Sequence, residues 1–285
     1  MKLHANGSQE PMNLISCSQV NGSQLRVLFM TLILALIPSV AQAEFDHSVW
    51  NRLLRDHVHL IDQYKTAVDY SALAQERRDL QQYLADLSLL NRQDFDQLGY
   101  AHQLAFLINA YNAWTVELIL SEYPGLDSIR DIGFIPGAAW RRKIVSLFGE
   151  KYSLDELEHE MIRKWPQFQE PRIHFAVNCA ALSCPALQPE AYTGERLDQQ
   201  LESSTKRFLS DRDRNRLEGD TLYLSRIFDW YGEDFEAGWK GVNSLAEFLA
   251  AHAAELGISV EQQQALAIGN LRIRYLRYDW GLNDL

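Results

Sequence analysis

The chain has 285 residues, of which 47% are hydrophobic and 23% charged, and its formal net charge is −11 at pH 7. This apolar content is enough to build a sizeable core and excludes a chain that is disordered throughout. Because the chain is acidic and has no basic cluster, nucleic acid is disfavoured as a partner.

The N-terminal region has the pattern of an export signal. Residues 27–40, VLFMTLILALIPSV, form an apolar run that follows Arg26 and precedes AQA at 41–43, a small-residue pattern that signal peptidase accepts. This run is too short to span a bilayer, and no later segment reaches the roughly 20 apolar residues needed. We predict a signal peptide over 1–43 with a long n-region, or a start at Met12 or later. The mature protein is then periplasmic or secreted, without an integral membrane span.

The rest of the chain, residues 44–285, is predicted to be a single domain, because it contains no repeat, low-complexity tract or linker. VWNRLLRDHV (49–58) and YSALAQERRDLQQYLADLSLL (70–90) have apolar residues at intervals of three and four, which predicts two helices. Ser71 is placed to cap the second helix. AVDY, at 67–70, is interpreted as a short extended link.

A central helix is predicted next, ending at Pro124 and Gly125. Its apolar residues repeat at helical spacing and are Leu104, Leu107, Tyr111, Trp114 and Leu118. Asn109 and Asn112 are three residues apart, so both side chains lie on one face of this apolar helix. A buried amide without hydrogen bonds is destabilising by roughly 1–3 kcal/mol. Either these asparagines hold neighbouring loops, or they orient a catalytic imidazole.

The second half of the chain mixes helices and strands. Ser153 and Glu156 match a capping box and begin a helix that carries Glu158 and His159. RIHFAVN, at 172–178, alternates apolar and small or polar residues, which predicts a strand. A helix over LDQQLESSTKRFLS, a hairpin turning at residues 218–220, two further helices and a last strand follow. The predicted class is α+β, a mostly helical domain around a small β-sheet.

Two polar groups near the C-terminus have competing interpretations. Asp229, Glu233 and Asp234 resemble the paired carboxylates of a glycoside hydrolase, but acids at this spacing are usually a solvated helix face. The stretch YDW at 278–280 and Asn283 combine polar tips with large apolar bodies, and such side chains seek partners when they are buried. They either close the core or plug a site.

Five blocks of sequence resemble one known family. They are AFLINAYNA (105–113), YSLDELEHEMIR (152–163), RIHFAVNCAALSCPAL (172–187), LSRIFDWYGEDF (224–235) and YDWGLN (278–283). In this order they resemble the uncharacterised family called domain of unknown function 547, found in bacteria and plants. The resemblance implies no activity, because the family has none secured. Many relatives have CGAKSCP where this chain has CAALSCP, so Ala180 and Leu182 depart from the family's pattern.

The cysteine segment allows a structural interpretation. Cys179 and Cys184 are five residues apart in a chain predicted to be exported, where disulfides form and persist. A short loop ending at Pro185 can bring the alpha carbons to the roughly 5.5 Å that a disulfide needs. We predict a Cys179–Cys184 disulfide that rigidifies the loop of a non-catalytic binding or assembly module. Its partner is an unknown small molecule, peptide or envelope component, and no cofactor is predicted.

The alternative is a thiol-dependent hydrolase or acyltransferase, so whether the protein is an enzyme stays open. Cys179 or Cys184 is then the nucleophile and His174 or His159 the base. The orienting groups and oxyanion donors of this site are Asn109, Asn112, Glu158 or Asp279, and backbone amides near Ser183. Five residues of extended strand place His174 about 16 Å from Cys179 and on the opposite face, which makes His159 an equally good candidate for the base.

A third interpretation is a metal site. His159, His174, Glu158 and one cysteine are ligand types that suit zinc or copper. However, neither C-x-x-C nor H-x-x-x-H occurs.

In the predicted fold, the central helix packs on a small sheet containing RIHFAVN. This arrangement resembles papain- or transglutaminase-like cores. Chain order argues against a simple match, because those enzymes place cysteine before histidine.

Overall fold

Many short helices and three small sheets build residues 44–285, which are the residues that the computed structural model describes. The predicted signal peptide and the alternative start at Met12 lie outside the described residues. The helices are α1 (Ser48–His57), α2 (Tyr70–Gln75), α3 (Arg77–Leu89), α4 (Arg92–Gln97), α5 (Tyr100–Leu120), α6 (Ala138–Arg141), α7 (Leu154–Glu156), α8 (Leu197–Ser210), α9 (Ile227–Trp230), α10 (Gly232–Phe235), α11 (Leu245–Ala251), α12 (Ala253–Leu256) and α13 (Val260–Ala267).

The strands are β1 (Val58–Leu60), β2 (Thr66–Val68), β3 (Val145–Leu147), β4 (Glu150–Tyr152), β5 (Arg216–Glu218), β6 (Thr221–Leu224) and β7 (Arg272–Tyr275). β1 pairs with β2 and β3 with β4, both antiparallel. In the third sheet β6 lies between an antiparallel β5 and a parallel β7. The predicted α+β class, mostly helical with small sheets, is therefore confirmed.

The helices of the first part agree with the predicted pattern except at one break and one cap. The segment predicted as one helix over 70–90 is two helices, α2 and α3, separated at Glu76. Ser71 does not cap it: the carboxylate of Asp69 accepts the amide proton of Ala72 at 2.8 Å. Asp69 precedes the helix, so its side chain can accept a free amide proton of the first turn, whereas Ser71 already lies inside the helix.

The central helix α5 is 21 residues long and is buried along most of its length. The Asn109 amide donates to the carbonyl of Tyr192 at 2.8 Å and accepts the Tyr192 amide proton at 3.0 Å. Asn112 donates to the carbonyl of Ala176 at 3.0 Å and accepts the Asn178 amide proton at 2.8 Å. Both side chains thus hold neighbouring loops. Within residues 44–285 no helix, α5 included, has both the length and the apolarity to cross a membrane.

The strand predicted over RIHFAVN is wrong. Residues Pro171–Phe175 form a 3-10 turn, which Glu170 caps by accepting the Arg172 amide proton. Pro171 fixes its own backbone and removes a donor, so the segment is poorly suited to a sheet interior. Because every residue of 171–178 is buried, the alternation of residue types does not mark an exposed and a buried face. The central helix therefore packs against a turn, not against a sheet containing RIHFAVN.

Two apolar clusters meet at this turn. Ile173, Ala176 and Val177 belong to a large cluster built around α5. Phe175 belongs to a second cluster, in which its ring packs against Phe208 at 5.0 Å between centroids, and against three other phenylalanines. Residues 172–178 therefore form the seam between the two clusters.

After β7, the chain crosses back over the cysteine segment. The carbonyl of Gly281 accepts the Leu182 amide proton at 2.8 Å, and the Asn283 amide donates to the carbonyl of Ala180 at 3.2 Å. The carbonyl of Asn283 in turn accepts the Val68 amide proton at 2.9 Å. This crossing, residues 278–283, links the cysteine segment to the β1–β2 hairpin.

Replacing Asn109 by alanine is expected to lower the free energy of unfolding by about 2–4 kcal/mol. The change leaves both backbone groups of the buried Tyr192 without partners. Urea denaturation measures the loss. Gln199→Ala, at an exposed position of α8, is the control and should change stability by less than about 0.5 kcal/mol. Equal losses in the two variants would contradict this role of Asn109.

Candidate functional site

A cavity of about 250 Å³ opens where the cysteine segment, the helix after Ser153 and the crossing segment meet. Its lining is mostly aromatic and apolar, with two carboxylates, two imidazoles and two sulfurs. The lining residues are Tyr111, Trp140, Asp155, Glu158, His159, His174, Val177, Cys179, Cys184, Pro185, Ile227, Trp230, Tyr231, Tyr278 and Trp280.

The two cysteines lie at one side of this cavity and form a disulfide-capable pair. Their sulfurs are at bonding distance, 2.15 Å, and their alpha carbons are 6.2 Å apart. The Tyr278 hydroxyl lies 3.3 Å from the Cys179 sulfur and 3.2 Å from that of Cys184. Arg214 donates to the carbonyls of Leu182 and Cys184 at 2.5 and 2.9 Å. The loop between the cysteines is thus fixed on both sides.

Inside this loop, Ala180 has a left-handed backbone, with φ of 58°. An L-residue with a Cβ is disfavoured there, whereas glycine adopts it without steric cost. The side chain of Asn178 supports the turn by accepting the Ala180 amide proton at 2.9 Å and donating to the carbonyl of Pro185 at 2.8 Å. This position therefore favours glycine for a conformational reason.

A network of charged and polar groups extends from two residues that line the cavity, His159 and His174. Nε2 of His174 lies 2.6 Å from Asp234, and Arg163 donates to the same carboxylate at 2.6 and 2.9 Å. The remaining Arg163 donors reach His159 at 2.9 Å and Glu233 at 3.1 Å. The His174 ring also stacks on Tyr231, with 4.0 Å between centroids.

The pKa shifts of Asp234 and His174 indicate where the protons lie in this network. Burial opposes ionisation of Asp234, but hydrogen bonds from His174 and Arg163 outweigh it and lower the pKa of Asp234 to about 2. Burial lowers the pKa of His174, although the hydrogen bond to Asp234 opposes that shift. At neutral pH the carboxylate is ionised and only accepts, so Nε2 of a neutral His174 carries the proton. Nδ1 is then left as an acceptor.

Glu158 is the other carboxylate of interest, and it is 6% exposed. It sits on the π-helical turn Leu157–Ile162, directly after α7. Burial first, and then the Glu158 carboxylate, raise the pKa of Tyr111 and Tyr231 well above the ordinary value. Asp155 lies one turn earlier, and burial raises its pKa. The two phenols therefore remain protonated beside Glu158 at neutral pH.

Four rings form the aromatic wall of the cavity: Trp140, Trp230, Tyr278 and Trp280. The centroids of Trp230 and Trp280 are 5.7 Å apart in a stacked arrangement, and Trp140 meets Trp280 edge-on at the same distance. Tyr278 lies 4.6 Å from Trp280. Trp230 is 42% exposed, so the wall extends from the cavity to the protein surface.

The structure brings together most of the residues that the sequence singled out. Cys179, Cys184, His159, His174 and Glu158 all line one cavity. The opposite-face argument against His174 was wrong, because the segment is a turn and not an extended strand. The hydrogen bonds of the Asn109 and Asn112 side chains go to backbone groups, so the structure gives them no contact with an imidazole.

Asp234 was wrongly interpreted as part of a solvated face. Its side chain is 24% exposed and bonded to His174 and Arg163, whereas that of Glu233 is 82% exposed. The sequence analysis also missed Tyr111, Tyr231 and Arg163. The i,i+4 spacing of His159 and Arg163 was the one local signal for this contact. Tyr278 and Trp280 combine the two alternatives predicted for their segment, because each packs against an apolar cluster and each lines the cavity.

A metal set of His159, His174, Glu158 and a cysteine is not formed. Within residues 44–285 the one group whose ligand atoms all lie within 4.8 Å of one another is Glu44, His102 and Glu195. That group is outside the cavity.

Residues 95–209 match the model of a family described as "Protein of unknown function, DUF547". The chain therefore resembles this family, as its sequence blocks predicted. No curated protein and no solved structure is significantly similar to the chain. The matched range contains both cysteines, His159, His174 and Glu158, while Asp234 and the crossing segment lie outside it. The analogy to papain- or transglutaminase-like cores stays a prediction.

Glycine at position 180 is expected to cost little or no stability. Ala180→Gly loses a buried methyl group but relieves the left-handed backbone, whereas Ala181→Gly loses a methyl group of similar burial without that relief. We expect Ala180→Gly to be more stable than Ala181→Gly by about 1–2 kcal/mol in urea denaturation. Equal destabilisation would show that the backbone at Ala180 carries no strain.

Asp234→Asn is expected to lower the pKa of His174 further, because the variant removes the negative acceptor that opposes the effect of burial. NMR titration of the imidazole resonances measures this pKa. Asp229→Asn, at an exposed position on α9, is the matched control.

The lowered pKa of His174 also makes the stability of the protein depend on pH. A histidine pKa that is lower in the folded than in the unfolded protein removes stability as the pH falls below about 6.5. Asp234→Asn should therefore lose more stability than the unchanged protein only below the folded-state pKa of His174 in the unchanged protein, where that protein stops losing stability and the variant continues to lose it. A His174 pKa that stays constant or rises would contradict the assigned proton positions.

Proposed function

We propose that the protein is an exported, non-catalytic binding module that holds a small organic ligand in the aromatic cavity, with a Cys179–Cys184 disulfide closing the adjacent loop. The observation that carries this proposal is the lining itself: large rings surround a few polar groups that converge on one space. Ligand sites in proteins generally have this composition. The cavity of about 250 Å³ lies below the usual roughly 300–1,000 Å³, so it suits a ligand smaller than most drugs.

The paired sulfurs support the binding function over catalysis. A thiolate is the nucleophile in thiol enzymes, and a cysteine in a disulfide has none to offer. A disulfide also agrees with the predicted export, since oxidising compartments are where such bonds persist. In this proposal the bond keeps the loop from moving, so that the cavity exists before the ligand arrives and less ordering entropy is lost on binding.

A second candidate, the thiol-dependent hydrolase or acyltransferase, is favoured by one observation. His174 is oriented by an ionised Asp234, and its ring lines the same cavity as Cys179. A carboxylate that orients an imidazole beside a nucleophile is the arrangement of catalytic triads. This activity would require the cysteines to be reduced, with Nδ1 of His174 accepting the thiol proton.

The test of the binding function combines thiol mapping with a ligand screen. In the purified, unreduced protein we expect no alkylation at Cys179 or Cys184 by peptide mapping. A screen by saturation-transfer NMR, over small amines, acids and neutral aromatic compounds, should find a class that binds with a Kd below about 1 mM. Trp230→Ala, in the cavity wall, should abolish this binding. Trp165→Ala, a tryptophan outside the cavity, should not.

Two results would count against the proposal. If the folded protein binds no compound class of the screen, the cavity is not a ligand site. If the unreduced protein has an alkylatable Cys179 whose rate falls in His174→Ala and not in His102→Ala, the thiol enzyme is the better description.

A further inference from the structure

The strongest unexplained feature of the cavity is the buried carboxyl group of Glu158. This side chain is more than nine-tenths buried, and it lines the cavity together with Asp155. Within residues 44–285 no lysine, arginine or histidine nitrogen lies within 4.0 Å of either carboxylate. Buried carboxylates are normally paired with a cation or a metal, because leaving them unpaired costs free energy. Glu158 is therefore a carboxylate without a cation of its own.

Nearby cations are committed elsewhere. Arg163 is close enough to interact with Glu158 electrostatically, but its guanidinium donates to Asp234, Glu233 and His159. His174 is kept neutral by burial, as its lowered pKa indicates. Among the described residues that line the cavity, none is a lysine or an arginine. The cavity thus presents two carboxyl groups, and among the described residues no positively charged side chain pairs with either of them within 4.0 Å.

Another part of the lining is aromatic. The rings of Trp230, Tyr278 and Trp280 lie within 4.6–5.7 Å of one another, and Trp140 extends the group. Aromatic faces carry partial negative charge and attract cations, and tryptophan is the strongest of them. Ammonium groups with apolar substituents are bound by such rings, since the substituents lose contact with water while the charge faces the π electrons.

From these two features we infer that the ligand of this cavity is a small organic ammonium cation, with its charge directed at Glu158 and its alkyl groups against the tryptophan wall. The inference rests on the proposed binding function and specifies its ligand class. Anionic ligands are disfavoured by the two carboxylates. Neutral ligands of the same shape would fill the space but leave Glu158 unpaired.

The test uses isosteric probes. Choline and 3,3-dimethyl-1-butanol have the same heavy-atom shape and differ in that a carbon replaces the charged nitrogen. Butylammonium and butyrate compare a primary ammonium with an anion. Tryptophan fluorescence or calorimetry with the full protein gives the affinities. We expect at least one of the two cations, choline or butylammonium, to bind. If choline binds, it should bind at least about tenfold more tightly than 3,3-dimethyl-1-butanol. Butyrate should not bind.

Matched variants locate the interaction. Glu158→Gln keeps the shape of the side chain and removes its charge, so it should weaken binding of the cation by at least about tenfold. Glu160→Gln is the control two residues away, at an exposed position that pairs with Lys164. Trp230→Ala serves as a second variant in case Glu158→Gln does not fold, because this ring is partly exposed and its loss should be tolerated.

The outcomes separate this inference from the function on which it rests. If the neutral isostere binds as tightly as choline, or if folded Glu158→Gln binds the cation unchanged, the cation inference is wrong while the cavity remains a ligand site. The same holds if neither cation binds but another compound of the screen does. If nothing binds, the proposed function falls together with the inference.

Discussion

A relay of buried amides fixes the backbone from which the cavity is built. Asn112 on α5 holds the backbone of residues 176 and 178, and the side chain of Asn178 then holds the turn at Ala180 and the carbonyl of Pro185. Asn283 joins the relay by donating to Asn178 at 3.4 Å and accepting from the Tyr70 hydroxyl at 2.9 Å. Because amides both donate and accept, each can satisfy two backbone groups that burial would otherwise leave unpaired. The positions of both cysteines depend on this relay.

The long periodic elements of this fold could be predicted because their local signals are complete. α8 covers the residues whose pattern predicted it, the capping box at Ser153 is formed, and the hairpin turns at residues 218–220. The disulfide-capable cysteine pair was predicted from the five-residue spacing together with the predicted export. In each case the physical cause lies within a few residues of the effect, so no knowledge of the tertiary structure was needed.

The turn at 171–175 and the role of Asp234 could not be predicted in this way. Periodicity distinguishes a strand only when one face is exposed, and residues 171–178 are buried on all sides. Asp234 lies in a segment rich in acids, and its partners His174 and Arg163 are 60 and 71 residues away in sequence. A solvated carboxylate and a buried, paired one look alike until such distant partners are known. The sequence therefore predicted which types of residue form the candidate site, but it did not predict which of these residues pair with one another.

The cavity separates two kinds of electrostatics at close range. On one side, Asp234 is neutralised by Arg163 and holds a neutral imidazole in place. Elsewhere in the lining, no lysine, arginine or histidine nitrogen of the described residues lies within 4.0 Å of the carboxyl groups of Glu158 and Asp155, and the phenols of Tyr111 and Tyr231 beside Glu158 are protonated at neutral pH. This difference makes the field inside the cavity directional, because the carboxylate that is paired with Arg163 contributes little to it.

The crossing segment at residues 278–283 sets an order in time. Cys179 and Cys184 are five residues apart and can meet as soon as both have left the ribosome, whereas Tyr278, whose hydroxyl contacts both sulfurs, is made 94 residues after Cys184. Throughout that interval the sulfurs lack the ring that later covers them, and the aromatic wall lacks Trp280. The pair is therefore uncovered while residues 185–277 are made and is covered only once Tyr278 is in place. The loop between the cysteines and the aromatic wall of the cavity are thus completed at different stages in the synthesis of the chain.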